Sequence, residues 1–310
     1  MKSKRRVVWI ALQVVILGAT VWLRCGPLRP LLRDTDQFRV WPTDPRVRYE
    51  PGAERVAGRV ANAMPAAIQT VEAQLYRPFA APPTVYVCAT LSTFGAYGGD
   101  VHSAGYTIDQ RLFLSPKLLG TPERIARVLT HELAHLHFEQ RLGLPRMSRL
   151  PVWFTEGLAA HVSGAGAENV TVDEARQALR DGRALVPDET GTWFHRRSAS
   201  AFGMTAHLFY RQASMFLGWL ARDPIAFRQL LLAVQRGVDL RDAVRDAFGS
   251  TVSEAWQRFV SSQLSPGPFP QRVQLCGCSS KLRSCPRCKP AVAATPLFSK
   301  SSGSAGALGH

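Results

Sequence analysis

His131 and His135 are separated by Glu132-Leu133-Ala134. On an α-helix, residues four apart share one face, one turn above the other. Two imidazoles placed this way can bind a single metal ion. Glu132, one residue along, reaches the side of that ion where a bound water would sit. Two ligands and a carboxylate at this spacing are the parts of a metal-assisted hydrolysis, in which the ion acidifies water and the carboxylate takes its proton. Zinc is the expected ion, because it accepts imidazole and carboxylate ligands and keeps a position open for water. The bland alternative is a helix that carries two histidines by accident.

The chemistry requires a helix, and the flanking residues predict one. Thr121-Pro122-Glu123 reads as a start: Thr as N-cap, Pro at the first helical position, Glu at the positive end of the dipole. Ile125, Val128, Leu129, Leu133 and Leu136 recur at helical spacing, and Leu142-Gly143-Leu144-Pro145 reads as a stop. The predicted helix runs from Pro122 to Arg141. A catalytic site needs a third protein ligand, and Glu156, 21 residues after His135, is the candidate. It sits in Pro151-Val152-Trp153-Phe154-Thr155-Glu156-Gly157-Leu158-Ala159-Ala160, which reads as the start of an antiparallel return helix. A carboxylate among Phe154, Leu158 and Ala159 is costly to bury unless it meets a charge or a metal. The alternative is a Glu on the wet face of an amphipathic helix.

HELAH followed by P-x-W-F-x-E-G-L-A resembles the gluzincin zinc peptidases, and among them the small bacterial peptidase MA-like domains. The resemblance extends over Tyr210-Arg211-Gln212-Ala213-Ser214, Phe216 and Leu220, then Arg236-Gly237-Val238-Asp239-Leu240, Ala247-Phe248-Gly249 and Ala255-Trp256, covering about Pro82 to Leu264. It implies a zincin-like metallopeptidase in which His131, His135 and Glu156 bind zinc and Glu132 activates water. It also implies an oxyanion donor from a later helix. Tyr210 is the choice, with His207 and His195 as runners-up and a plain core aromatic as the alternative reading of Tyr210. One departure stands out. Thermolysin-like members place an Asp four residues after the ligand Glu to orient a zinc histidine; here that position is Ala160, and His161 beside it cannot be given the role.

Thr84-Val85-Tyr86-Val87-Cys88-Ala89 reads as a strand, and Tyr106 to Ser115 has mixed strand character, with Gly95, Gly98, Gly99 and Gly105 marking the loops between them. In the families it resembles, the strand before the motif helix pairs with an extended peptide. The order is α+β, a small mixed sheet followed by a helical subdomain. Cys88 in its strand reads as a core thiol.

At the N-terminus, Lys2-Ser3-Lys4-Arg5-Arg6 precedes Val7 to Leu23, an uncharged run. It predicts a transmembrane helix retained as an anchor in the cell inner membrane, with the catalytic domain periplasmic or extracellular; the alternative is a signal segment, cleaved on secretion. The expected organisation is an anchor at 1–24, a stalk at 25–55, a peptidase domain at 56–264 that opens with a helix from Val56 to Leu75, and a tail at 265–310. The tail holds Cys276, Cys278, Cys285 and Cys288, read as two disulfides, a zinc knuckle or incidental thiols. The net charge of +15 suits an anionic membrane surface better than nucleic acid, for which no motif is present. The expected partners are a protein or peptide substrate and the membrane. The rival to an enzyme is a non-catalytic peptide-binding module on the same fold. Substrate specificity and oligomeric state are not legible.

Overall fold

The structure, a computed structural model, describes residues 29–264 apart from Thr190 and residues 192–196, together with Trp9 and Gln13. Five short strands form one mixed sheet: β1 (Arg39–Trp41), β2 (Asp44–Tyr49), β3 (Val85–Val87), β4 (Gly105–Ile108) and β5 (Arg111–Leu114). Their order across the sheet is β1-β2-β3-β5-β4, which leaves β4 at an edge. β1–β2 and β4–β5 are antiparallel, while β2–β3 and β3–β5 are parallel. Parallel neighbours need a crossover. Helix α1 (Glu54–Leu75) supplies the first and the short α2 (Leu91–Ala96) lies on the second.

The remaining helices are α3 (Ile125–Met147), α4 (Val152–Ser163), α5 (Val172–Arg180), α6 (Ala206–Leu220), α7 (Pro224–Gln235), α8 (Leu240–Phe248) and α9 (Val252–Leu264). The fold is therefore α+β, a small mixed sheet and a mostly helical remainder. Strand alternation divides the core. Val47, Val85, Val87, Leu112 and Leu114 face α1 and α3, where Val56, Val60, Met64, Val71, Leu129, Leu133 and Leu136 pack with them. Tyr86 and Phe113 face the other way and cluster with Phe38, Phe94 and Tyr97 around Cys88, Phe113 stacking on both Tyr86 and Tyr97. Burial there pushes the Cys88 thiol up to about 12.

Three expectations are corrected. Residues 25–55 are not simply a stalk, because β1 and β2 lie within them and β2 pairs with β3. Both strands are short and Arg-rich, and only Val47 and Asp44 of β2 are buried, so they carry little hydrophobic signal. Tyr106 to Ser115 is not one strand but the hairpin β4–β5. Asp109 and Gln110 turn it with φ of 49° and 57°, left-handed values that usually call for Gly or Asn. Thr121 does not cap the motif helix, for its side chain makes no cap hydrogen bond; a 3-10 turn, Pro122–Arg124, leads into α3 instead. The helix continues past Arg141 but breaks at Gly143 (φ 66°, ψ 163°) within the Leu142–Pro145 stop signal.

Among the described residues no helix is long and apolar enough to cross a membrane. The anchor expected at residues 1–24 lies outside the described residues, except for Trp9 and Gln13. The chain divides after Ser265, and the tail cysteines fall in the second unit, also outside the described residues.

Candidate metal centre

Helices α3 and α4 bring three donor atoms together. His131 Nε2 and His135 Nε2 are 3.2 Å apart. Glu156 Oε2 lies 3.4 Å from the first and 3.6 Å from the second. An ion coordinated tetrahedrally at about 2.0–2.1 Å holds its ligand atoms about 3.3 Å apart, so these three atoms fit one ion without rearrangement. Among the described residues this is the group that could hold a metal ion. Glu156 is not on a wet face: its side chain is 20% exposed and turned towards the histidines. Burial pushes its carboxyl upward, but the charge and hydrogen bonds of His135 and His131 outweigh that and hold it well below the usual carboxylate range.

Close helix packing sets the position of Glu156. The next residue, Gly157, lies against Ala213 of α6, where a Cβ would come within 2.8 Å of the Ala213 Cβ and 3.0 Å of its carbonyl carbon. Helices α4 and α6 pack along much of their length. Gly157 thus lets α4 approach α6 closely, and Glu156 rides on that approach.

Glu132 points from α3 towards β4, with its Oε2 accepting from Thr107 Oγ1 at 3.3 Å. Burial raises its proton affinity, the nearby imidazoles partly opposing. Its seat exists because residue 105 is Gly: a Cβ there would lie 2.4 Å from Glu132 Cγ and 2.7 Å from Cδ. Two turns further along α3, the buried Glu139 accepts the Gln110 backbone N–H at 2.9 Å and pins the β4–β5 turn to the same helix. The motif helix therefore fixes the edge strand at two points, on either side of His135.

The three donor atoms open into a cleft of about 1190 Å³, bordered by β4 and by residues of α6. Tyr210 lines it, with its ring centroid 6.4 Å from that of His131. Gly166, at φ +87°, leaves room for both: a Cβ would be 3.0 Å from Tyr210 Cδ2 and 3.4 Å from His131 Cε1. His207 also lines the cleft, but its nitrogens are committed. Nδ1–H donates to Gly166 O, and Nε2 accepts from Asn169 Nδ2, each at 3.0 Å. His195 lies outside the described residues. His161 faces Phe227 and Gly218, away from the three ligands.

Ala160 is buried and brings no polar side chain, and His131 Nδ1 is buried with no hydrogen-bond partner among the described residues. A ligand histidine ordinarily donates through its second nitrogen to a carboxylate or carbonyl. Gly105, Thr107, Gly157 and Gly166 were not legible as site residues. Gly105 reads as a loop marker in sequence, and its adjacency to Glu132 across 27 positions is purely tertiary. Compared with known proteins, the chain matches no protein-family model and no curated protein.

Proposed function

We propose that this protein is a zinc metallopeptidase of the gluzincin kind. The observation that carries the reading is the convergence of His131, His135 and Glu156 on one point, with the Glu132 carboxylate beside it on the floor of a cleft that β4 borders. Two imidazoles and one carboxylate are the donor set of a catalytic rather than a structural zinc, which is closed by four protein ligands. When bound, zinc lowers the pKa of a coordinated water and polarises a carbonyl.

The chain's own residues supply the rest. Glu132 is the general base, held by Thr107 and made more proton-hungry by burial. It receives a proton and delivers it to the departing amine. Tyr210, which lines the cleft near His131, is the candidate donor to a developing oxyanion. The edge position of β4 suits an extended peptide added as a further strand. The basic start and the uncharged run Val7 to Leu23 support tethering to a membrane with the domain outside the cytoplasm.

The test is zinc per chain together with turnover of a mixed peptide library, using the full chain and Glu132→Gln. One zinc in both proteins, with cleavage by the wild type alone, supports the reading. Wild-type cleavage rates in Glu132→Gln would sink the mechanism. Ala160, where thermolysin-like members carry an Asp, leaves His131 Nδ1 without a hydrogen-bond partner among the described residues and favours a second reading, a peptide-binding module that does not turn over. In that case library peptides are retained and recovered intact.

A further inference from the structure

Glu139 is a carboxylate that the proposed reaction leaves unused. It follows His131 and His135 on the same stripe of α3, one turn beyond the second, and it lines the cleft at 3% exposure. It is not one of the three donors that converge. Its Oε1 instead accepts the Gln110 backbone N–H in the β4–β5 turn.

That turn is built from residues that do not favour it. Asp109 and Gln110 both stand in the left-handed region, at φ of 49° and 57°. Two such residues in a row make a type I′ turn, which Asn-Gly forms readily. Asp tolerates the region, but Gln has no such preference. The turn closes on the pair Ile108 and Arg111, and it leaves the Gln110 N–H with no partner inside the turn. Glu139 supplies that partner at the residue where the backbone is most strained. One hydrogen bond thus satisfies a buried carboxylate and anchors a strained turn.

The two-residue turn decides what β4 offers at its edge. In an antiparallel pair, backbone groups point alternately towards the partner strand and away from it. Ile108 is turned towards Arg111 and Tyr106 towards Phe113, and the Ser115 N–H to Ala104 carbonyl bond continues the series. The N–H and C=O of Gly105 and Thr107 therefore point away from β5, to the outer edge of the sheet. These are the two residues that seat Glu132. A peptide added as a strand would bond to them, beside that carboxylate. A turn one residue longer would shift the register and exchange them with Tyr106 and Ile108, which pack on the aromatic face.

We propose that Glu139 is a positioning residue for peptide binding: by holding the Asp109–Gln110 turn it keeps the backbone of Gly105 and Thr107 facing the substrate. This deepens the strand-addition reading above and rests on it. The test compares the full chain with Glu139→Ala, with Glu139→Gln, and with Glu139→Ala combined with Asp109→Asn and Gln110→Gly. Hydrogen exchange of a peptide covering 104–111 should be about tenfold faster in Glu139→Ala. It should stay near wild type in Glu139→Gln, whose amide oxygen still accepts the N–H. The added pair of turn substitutions should restore it, because that pair forms the turn unaided. With a peptide substrate, Glu139→Ala should raise KM about tenfold, as expected for one or two lost main-chain hydrogen bonds, with kcat and zinc content held. The added pair should reverse that rise, which a general loss of packing at residue 139 would not allow. Exchange unchanged in Glu139→Ala, or not restored by the pair, overturns the clamp and leaves the peptidase reading standing. Faster exchange with KM unmoved overturns the role in substrate binding. If the wild type retains peptides without cleaving them, the peptidase reading fails, and the Kd of a retained peptide should show the same rise. A wild type that neither cleaves nor retains a peptide overturns strand addition and the role of Glu139 with it.

Discussion

Gly105 lies directly against the side chain of Glu132, closer than any residue with a Cβ could stand. The first residue of the edge strand thus shapes the pocket that holds the Glu132 carboxylate. Gly105→Ala should push the carboxylate out of place without touching a ligand. The expected result is peptide turnover reduced about 100-fold with zinc content unchanged, since misplacement by about 1 Å costs that much. Activity and metal analysis on the same preparation check it; unchanged turnover would mean that the seat does not position Glu132.

Glu156→Ala removes one of the three candidate ligands and leaves two histidines. Metal content should fall from one ion per chain towards zero. Chelation should lower the melting temperature of the wild type and leave that of the variant unmoved, because only a bound ion stabilises by mass action. A variant that retains its metal would mean that another side chain, not Glu156, completes the site.

Gly157→Ala inserts a methyl group where α4 meets α6. Overpacking of this kind costs about 1–3 kcal/mol. Because the displaced segment carries Glu156, the variant should also bind metal more weakly. Urea unfolding of metal-free protein separates the two effects, and a stability equal to wild type would show that the helices can part freely there.

Tyr210→Phe keeps the ring beside His131 and removes the hydroxyl. A donor aimed at the oxyanion is worth about 100- to 1000-fold in kcat. KM should stay close to wild type. An unchanged kcat would return Tyr210 to the role of a packing aromatic and send the search for a donor elsewhere.

Cys88 is sealed in an aromatic cluster, and burial holds its thiol near 12. At pH 8 the folded protein should carry almost no thiolate there, and the unfolded chain far more. Alkylation of the Cys88 peptide, followed by mass spectrometry across a urea series, should therefore track global unfolding. Rapid labelling in the native state would show that the β3 face opens locally.

Residues near one another in the chain were enough to read α1, α3 and the start of α4, and the three side chains that could hold a metal ion. The 3.6-residue period placed α1 and α3 within a few positions, and the four-residue spacing of His131 and His135 put both imidazoles on one face, because helix geometry is local. Glu156 was legible as a carboxylate too expensive to bury alone. Strands β1 and β2 were not legible, since Arg-rich segments of three and six residues become strands only when a neighbour supplies the hydrogen bonds. The Asp109–Gln110 turn was hidden for a related reason: Glu139, 29 positions beyond Gln110, accepts the turn's N–H and helps hold a conformation its own residues do not favour. What the sequence by itself determined is the set of groups able to do chemistry and the helix that carries most of them. What only the tertiary structure decided is where a missing side chain makes room, at Gly105 for Glu132, at Gly157 for α4 and at Gly166 for His131 and Tyr210, because the absence of a Cβ acquires meaning only from the atoms packed against it.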